Sequence, residues 1–358
     1  MRICFIALGK FTHIGAYLDY FRMTGHDVHF VSLSPSPERN VPVYNLGLGK
    51  KYSSTKGKWK YPLSMLRARF LIKKLKPDII HAHYATSCGL TALISGFHPF
   101  VVTAHGSDVA TSIRSPVWRP LLKTIFRHAD CVNAVSDELR NMIISLGIPP
   151  EKIETLTLGI DTRQFTFCER PVISRSRALR LICTRRLEQV YDHPTIIKAL
   201  RVLTDNNIDF AMTFVGDGIQ RQALEQLAAD ESVNNKVTFM GAVENDKLPN
   251  ILNRHDIYLS ASHRDGTSLC LLEAMAAGVY PVVSDINANT AWLKHGVNGF
   301  LHKVSDHEDL ARCIISLFDN PELITRAVQN NRQIVIAKGD RRTNMHYIET
   351  IYERLIQK

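Results

Sequence analysis

The chain has 358 residues, 45% of them hydrophobic and 22% charged, with a formal net charge of +10. That length suits two α/β domains, and no apolar run approaches the roughly 18 residues needed to span a bilayer. Seven scattered cysteines, odd in number and without a C-x-x-C, fit a reducing cytoplasm and not a disulfide framework.

In chain order, Ile3 to Leu8 is too short for a signal peptide and reads as a first strand. Strand-like runs follow the order Arg2–Leu8, Asp27–Leu33, Asp78–Ala82, Phe100–Ala104, Cys131–Val135 and Glu154–Leu158. Helical periodicity falls near 14–24, 62–75, 86–96, 117–128 and 136–146. Ser136 followed by two acids is a helix start, and Gly147 with Pro149 is a stop. Residues 162–178 show no period and read as a linker. A second alternation then begins, with strands at 179–184, 209–215, 237–240, 256–260, 281–284 and 299–302. Its helices are expected near 194–205, 218–229, 246–253, 269–277, 306–319 and 322–337. A last helix, 343–357, puts Met345, Ile348, Ile351, Tyr352 and Leu355 on one face. Strands alternating with helices predict α/β domains built on doubly wound parallel sheets. The boundaries read from the pattern are 1–165, 166–340 and a closing helix 341–358 that packs back on the first domain.

The charge is uneven. Residues 1–170 hold 22 of the 44 Lys and Arg but only 12 of the 34 Asp and Glu, so the whole excess lies in the first half. Lys50–Lys76 is basic throughout and acid-free, with Tyr52, Trp59 and Tyr61 interleaved. Lys56, Lys58, Trp59, Lys60, Arg67, Lys73 and Lys74 are the candidates for docking on an anionic membrane surface, where each cation contributes about 1 kcal/mol. The competing reading is a solvated loop and helix. No nucleic-acid module accompanies the segment, so a nucleic-acid partner is not expected.

The most informative stretch runs from Asp265 to Gly278, where two carboxylates, Asp265 and Glu273, flank seven residues. A strand, a Gly-Thr-Ser turn, a helix and a second strand are expected there. The amino end of that helix, at Thr267, Ser268, Leu269 and Cys270, presents unpaired N–H groups and a dipole to an anion such as phosphate. Glu273, just over one turn in, is close enough to hold sugar hydroxyls. No D-x-D occurs. Glu244-x-Asp246 and Asp306-x-Glu308 read as helix caps, and His81 with His83 lacks a third ligand for zinc. No metal and no cofactor are therefore expected. Gly216-Asp217-Gly218 lacks the third glycine of a dinucleotide fingerprint.

Taken together, these segments resemble the retaining GT-B-fold glycosyltransferases of family 4, the glycosyl transferases group 1. Thr103-Ala104-His105-Gly106-Ser107-Asp108 is similar to the family's T-x-H-G-x-D. Ala134-Val135-Ser136 and Gly159-Ile160-Asp161 resemble its V-S and G-V-D segments, and Arg186-Leu187 its G-R-L. Val215-Gly216-Asp217-Gly218 resembles its glycine turn, Gly241-Ala242-Val243 its loop near the base, and Asp265 to Ala276 its E-x7-E with L-E-A-M-A. The chain departs in four places: Asp265 replaces Glu, Tyr191 stands where a phosphate-binding lysine is usual, Arg185 replaces glycine, and Leu158 replaces asparagine before Gly159. The N-terminal Gly-Gly loop is also not evident.

The resemblance implies a GT-B fold, two Rossmann-like domains facing a central cleft, with the acceptor on the first and the nucleotide sugar on the second. It implies catalytic roles for His105, Arg186, Asp265 and Glu273. Donor binding would fall to Arg185, Tyr191, Gly216, Asp217, Gly218, Ala242, Val243 and residues Thr267, Ser268, Leu269 and Cys270. His13 and Asp108 would lie on the acceptor side, Asp108 being equally readable as a turn cap. Arg186 is read as neutralising the departing diphosphate, against a surface pairing with Glu188. The function expected is metal-independent transfer of a hexose from an NDP-sugar, a UDP-sugar foremost, to a glycan or lipid-linked acceptor. The enzyme would act in the cytoplasm, peripheral to the inner membrane face. An NDP-sugar epimerase or hydrolase and a non-catalytic sugar-nucleotide-binding partner are the alternatives.

Overall fold

The computed structural model describes residues 1–9, 13–37, 39–46, 61–319 and 321–357. Lys56, Lys58, Trp59 and Lys60 therefore lie outside the described residues. The chain divides into two compact units, Met1–Leu158 with Arg342–Lys358, and Gly159–Arg341. The division precedes residue 165 because the intervening segment is tied into the second unit. Ile160 bridges Asp340, and Phe165 is buried beside Leu272 and Ala276.

The first unit is a seven-stranded sheet built from β1 (Arg2–Ala7), β2 (Asp27–Ser32), β3 (Val43–Asn45), β4 (Ile79–His83), β5 (Phe100–Ala104), β6 (Cys131–Ala134) and β7 (Ile153–Thr155). Their order is β3-β2-β1-β4-β5-β6-β7, and every pair is parallel. Residues Ile3 to Ala7 are all fully buried, as expected of a strand covered on both faces. The period-two alternation sorts them. Cys4 and Ile6 face one core with Ile80 and Val102, whereas Ile3 and Phe5 face another with Tyr17 and Phe21. Met345, Ile348, Ile351 and Tyr352, from the closing helix Arg341–Ile356, complete that second core.

The second unit has six strands: β8 (Leu179–Cys183), β9 (Phe210–Val215), β10 (Val237–Gly241), β11 (Ile257–Ser260), β12 (Tyr280–Ser284) and β13 (Phe300–His302). The order is β10-β9-β8-β11-β12-β13, again all parallel. Leu181 and Cys183 enter one core and Ile182 the other. In each sheet the order reverses beside the first strand, at β1/β4 and at β8/β11. Open α/β sheets bind ligands at the carboxyl ends of strands beside such a reversal.

The sequence pattern located all but the shortest elements. It missed β3 and the helices Ser107–Ser112 and Asn287–Thr290, which are too short or too polar to show a period. Among the described residues no helix is long and apolar enough to cross a membrane. The Tyr61–Leu75 helix buries Met65, Ala68 and Ile72 but leaves Leu63, Leu66 and Phe70 exposed, Phe70 at 71%.

Candidate active site

The candidate residues gather in two groups, one in each unit. In the second unit, the chain leaves β8 at Thr184 and presents Arg185 and Arg186 in succession. Their fates are opposite. Arg185 is 8% exposed, while the Arg186 side chain is 75% exposed and meets Glu188 Oε1 at 3.1 Å. Together with Gly216, Asp217 and Gly218 after β9 and Ala242 and Val243 after β10, both arginines line a cavity of about 490 Å³. The glycine turn is pressed against the arginine segment. Leu187 donates its N–H to the Asp217 carbonyl at 3.1 Å, and a Cβ on Gly216 would lie 2.4 Å from the Arg185 carbonyl oxygen.

The Leu269–Ala277 helix points its amino end toward the same residues. Ser268 is its cap, accepting from Leu271 N–H at 3.3 Å. Arg185 Nη2 donates to Asp265 Oδ2 at 2.5 Å and to Ser268 Oγ, and the Tyr191 ring lies 5.0 Å from the guanidinium carbon. Cys270 donates its thiol to the Thr184 carbonyl, and burial pushes that thiol up to about 11. Asp265, expected to reach the transferred sugar, meets two groups of its own unit. Its carboxylate is committed to Arg185 through Oδ2 and to Gly266 N–H through Oδ1, because the shorter acid keeps its charge close to its own turn.

Glu273 is buried within this helix, and burial pushes its carboxyl up to about 7 against the pull of Arg341 and Arg185. Arg341 was not foreseen. It lies at the far end of the unit's sequence, where its backbone N–H donates to the Ile160 carbonyl and its side chain to that of Gly159. No local pattern in the sequence connects it to Glu273.

In the first unit, His83 at the end of β4, His105 after β5 and His13 after β1 come together. His83 Nδ1 lies 3.2 Å from His105 Nε2. The His13 and His105 rings are 4.3 Å apart at 36°, and Tyr84 stacks on His105 at 5.0 Å and 20°. Burial pushes His13 down to about 4 and holds His83 and His105 well below the usual imidazole range, with the neighbouring rings adding to the effect on the last two. All three are neutral near pH 7, so His105 offers hydrogen bonds and not a standing positive charge. Nitrogens of His13, His83 and His105 lie within 4.8 Å of one another. Among the described residues this is the one group of His, Cys, Asp or Glu side chains spaced closely enough to hold a metal ion. His81 does not join them: Nδ1 meets the Tyr352 hydroxyl and Nε2 the Thr103 hydroxyl at 2.6 Å.

Asp108, readable as an acceptor-side group or a turn cap, holds a turn. It is 5% exposed. Its Oδ2 accepts from Ala85 N–H at 2.7 Å, and its Oδ1 from the His105 and Gly106 N–H groups at 3.1 and 2.9 Å. Burial raises its carboxyl and these donors oppose the rise. It fixes the turn that carries His105. A second cavity in the second unit, near Arg170, Asp256 and Ile324, lies at the amino ends of the strands. Of the two carboxylates that line it, Glu169 and Asp256, the buried Asp256 is already clamped by Arg177 and Arg180.

Residues 9–164 match the profile of Glycosyltransferase Family 4, and residues 170–334 that of Glycosyl transferases group 1. The chain is 26% identical over 347 residues to the N-acetyl-alpha-D-glucosaminyl L-malate synthase of Bacillus anthracis, covering 92% of this chain and 89% of that protein. It is 24% identical to the UDP-Gal:alpha-D-GlcNAc-diphosphoundecaprenol alpha-1,3-galactosyltransferase of Escherichia coli, covering 73% and 71%. Its fold is similar to that of Anabaena Alr3699/HepE in complex with UDP and glucose, with a TM-score of 0.78, 17% identity and coverage of 99% and 100%.

Proposed function

The chain belongs to the GT-B glycosyltransferases of the family 4 type, a hexosyltransferase of polysaccharide or glycoconjugate synthesis, and on that premise we propose its reaction. It moves a hexose from a UDP-sugar to a glycan or lipid-linked acceptor, with retention of anomeric configuration and without a metal. The observation that carries this reading is the cavity at the carboxyl ends of β8, β9 and β10. Two arginines and a glycine turn line it, and one of the arginines, Arg185, hydrogen-bonds the Ser268 cap of the Leu269–Ala277 helix. Such a wall suits a nucleoside diphosphate. The HepE complexes with UDP and UDP-glucose and the galactosyltransferase named for UDP-Gal favour uridine as the base.

In this reaction the diphosphate departs against Arg185, Arg186 and the N–H groups of Leu269 and Cys270, so positive groups meet the charge where it develops. Glu273 accepts from the ribose hydroxyls. Neutral His105, on a turn fixed by Asp108, hydrogen-bonds the transferred sugar. The departing phosphate then takes the proton of the incoming hydroxyl as the new glycosidic bond forms on the same face. Arg185, Arg186 and the helix dipole supply the charge that a divalent cation would otherwise bring.

The test is release of UDP from UDP-sugars, followed with and without candidate acceptors, in the presence and absence of a chelator. Acceptor-dependent release that survives chelation, with a product whose anomeric proton keeps the donor's configuration, supports the reading. Equal release without any acceptor identifies a hydrolase, and an altered free donor an epimerase. Loss of turnover on chelation overturns metal independence.

We also propose that the enzyme works in the cytoplasm, peripheral on the inner membrane face. The exposed row Leu63, Leu66 and Phe70, with Arg67, Lys73 and Lys74 exposed on the same helix, supports this. An apolar strip beside cations is the chemistry of a helix lying on an anionic leaflet.

A further inference from the structure

Arg185 is a cation in an unfavourable place. It is 8% exposed and sits at the amino end of the Leu269–Ala277 helix, which already carries partial positive charge. A guanidinium there adds like charge to like, and among the described residues one carboxylate, Asp265, pairs with it. Its Nε is shut off from solvent and has no hydrogen-bond partner. The hydroxyls of neighbouring Thr184 and of Tyr258 are in the same condition. Buried polar groups are ordinarily satisfied. Three unpartnered polar groups around one buried cation, beside a cavity that the cation lines, are a setting that an anion would satisfy.

The contrast with Arg186 sharpens the point. Arg186 is mostly exposed and, among the described residues, paired with Glu188 alone, so it must be ordered when a ligand arrives. Arg185 is already fixed, by Asp265 and Ser268 at Nη2 and by the Tyr191 ring over its plane. An aromatic face against a guanidinium both attracts it and limits its tilt. We propose that Arg185 is the principal cation for the diphosphate of the donor, and that Tyr191 is the positioning residue that holds it. This rests on the donor reading given above and names the groups that perform it.

The experiment uses the intact protein, with UDP and UMP titrated calorimetrically and donor turnover measured alongside. Wild type binds UDP at least tenfold more tightly than UMP. Arg185→Met brings the two affinities within about threefold of each other and lowers kcat about 100-fold, the cost of removing one preorganised donor. Its affinity for UMP, unchanged, shows that the unit is folded. Tyr191→Leu lowers kcat about tenfold with KM for the donor within threefold, while Tyr191→Phe, which keeps the ring, restores wild-type turnover. An unchanged UDP-to-UMP ratio in Arg185→Met overturns the assignment, and so does equal damage by Tyr191→Phe and Tyr191→Leu. If wild type binds neither nucleotide but binds another diphosphate in a thermal-shift screen of GDP, ADP, CDP and dTDP, the same comparison is made with that base. Wild type binding none of them overturns the donor reading itself, a result distinct from the failure of Arg185 alone.

Discussion

Gly216→Ala separates two effects that the turn after β9 combines. Gly216 has φ of +138°, and a Cβ there would meet the Arg185 carbonyl oxygen at 2.4 Å and its carbonyl carbon at 3.0 Å. Both are backbone atoms, so no side chain can swing aside. The oxygen contact must open by about 1 Å to reach ordinary van der Waals distance. Backbone strain at this φ costs about 1–3 kcal/mol, and the forced separation brings the total to about 2–4 kcal/mol. For a unit of this size each kcal/mol lowers Tm by about 2–4 °C, so the second unit should melt about 5–12 °C lower. Activity suffers independently, because displacing Arg185 and Arg186 by about 1 Å is expected to cost on the order of 100-fold in kcat/KM. Gly25→Ala isolates the first effect: its φ is +86° but nothing lies within 4 Å of the added Cβ. That variant should lose about 1 kcal/mol and keep full activity. Calorimetric melting and donor turnover, measured well below both transitions, decide the matter. A Gly216→Ala protein that melts within 2 °C of wild type and turns over within threefold refutes the reasoning.

Two further outcomes follow from other groups. Because burial raises the Glu273 carboxyl to about 7 from an ordinary value of 4.5, it is neutral at pH 6 and ionised at pH 8. UDP affinity should fall as pH drops through 7, and Glu273→Gln should flatten the part of that profile due to this group. The same shift means that stability contributed by neutral Glu273 is full below about 4.5 and lost as pH rises through 7. Glu273→Gln should therefore gain most in Tm, relative to wild type, at pH 8; parallel Tm profiles count against the raised value. On the membrane side, the protein should sediment with vesicles containing anionic lipid, and Leu66→Ser/Phe70→Ser should weaken pelleting severalfold with turnover on a soluble acceptor unchanged. Equal, negligible pelleting with anionic and neutral vesicles sinks the docking proposal.

Much of the fold was legible because each sheet is buried on both faces, so its strands stand out as continuous apolar runs between helical periods. The site was legible only in part. Past the end of β8 the alternation of faces no longer holds, so the sequence could not tell which of Arg185 and Arg186 turns inward. Position 191 read as the loss of a cation, yet its ring lies over the cation at 185. Asp108 looked equally like a ligand-facing acid and a cap until three backbone donors were found on its carboxylate. His83 and Arg341 reach their clusters by contacts between segments remote in sequence, for which short-range pattern carries no signal. The exposed face of the Tyr61–Leu75 helix was hidden for a different reason. Periodicity gives the apolar positions of a helix but not which of them find a partner.

The last helix has a consequence for how the chain is made. Tyr352 closes a core that begins at Ile3 and Phe5, so the first unit stays incomplete until the Arg341–Ile356 helix has been synthesised. The second unit, Gly159–Arg341, is continuous and can reach its native state sooner. During that interval the surfaces of Ile14, Tyr17 and Phe21 that Tyr352 and its neighbours will cover remain open to other hydrophobic chains. The second unit can thus mature before the first, although most of the first is translated earlier.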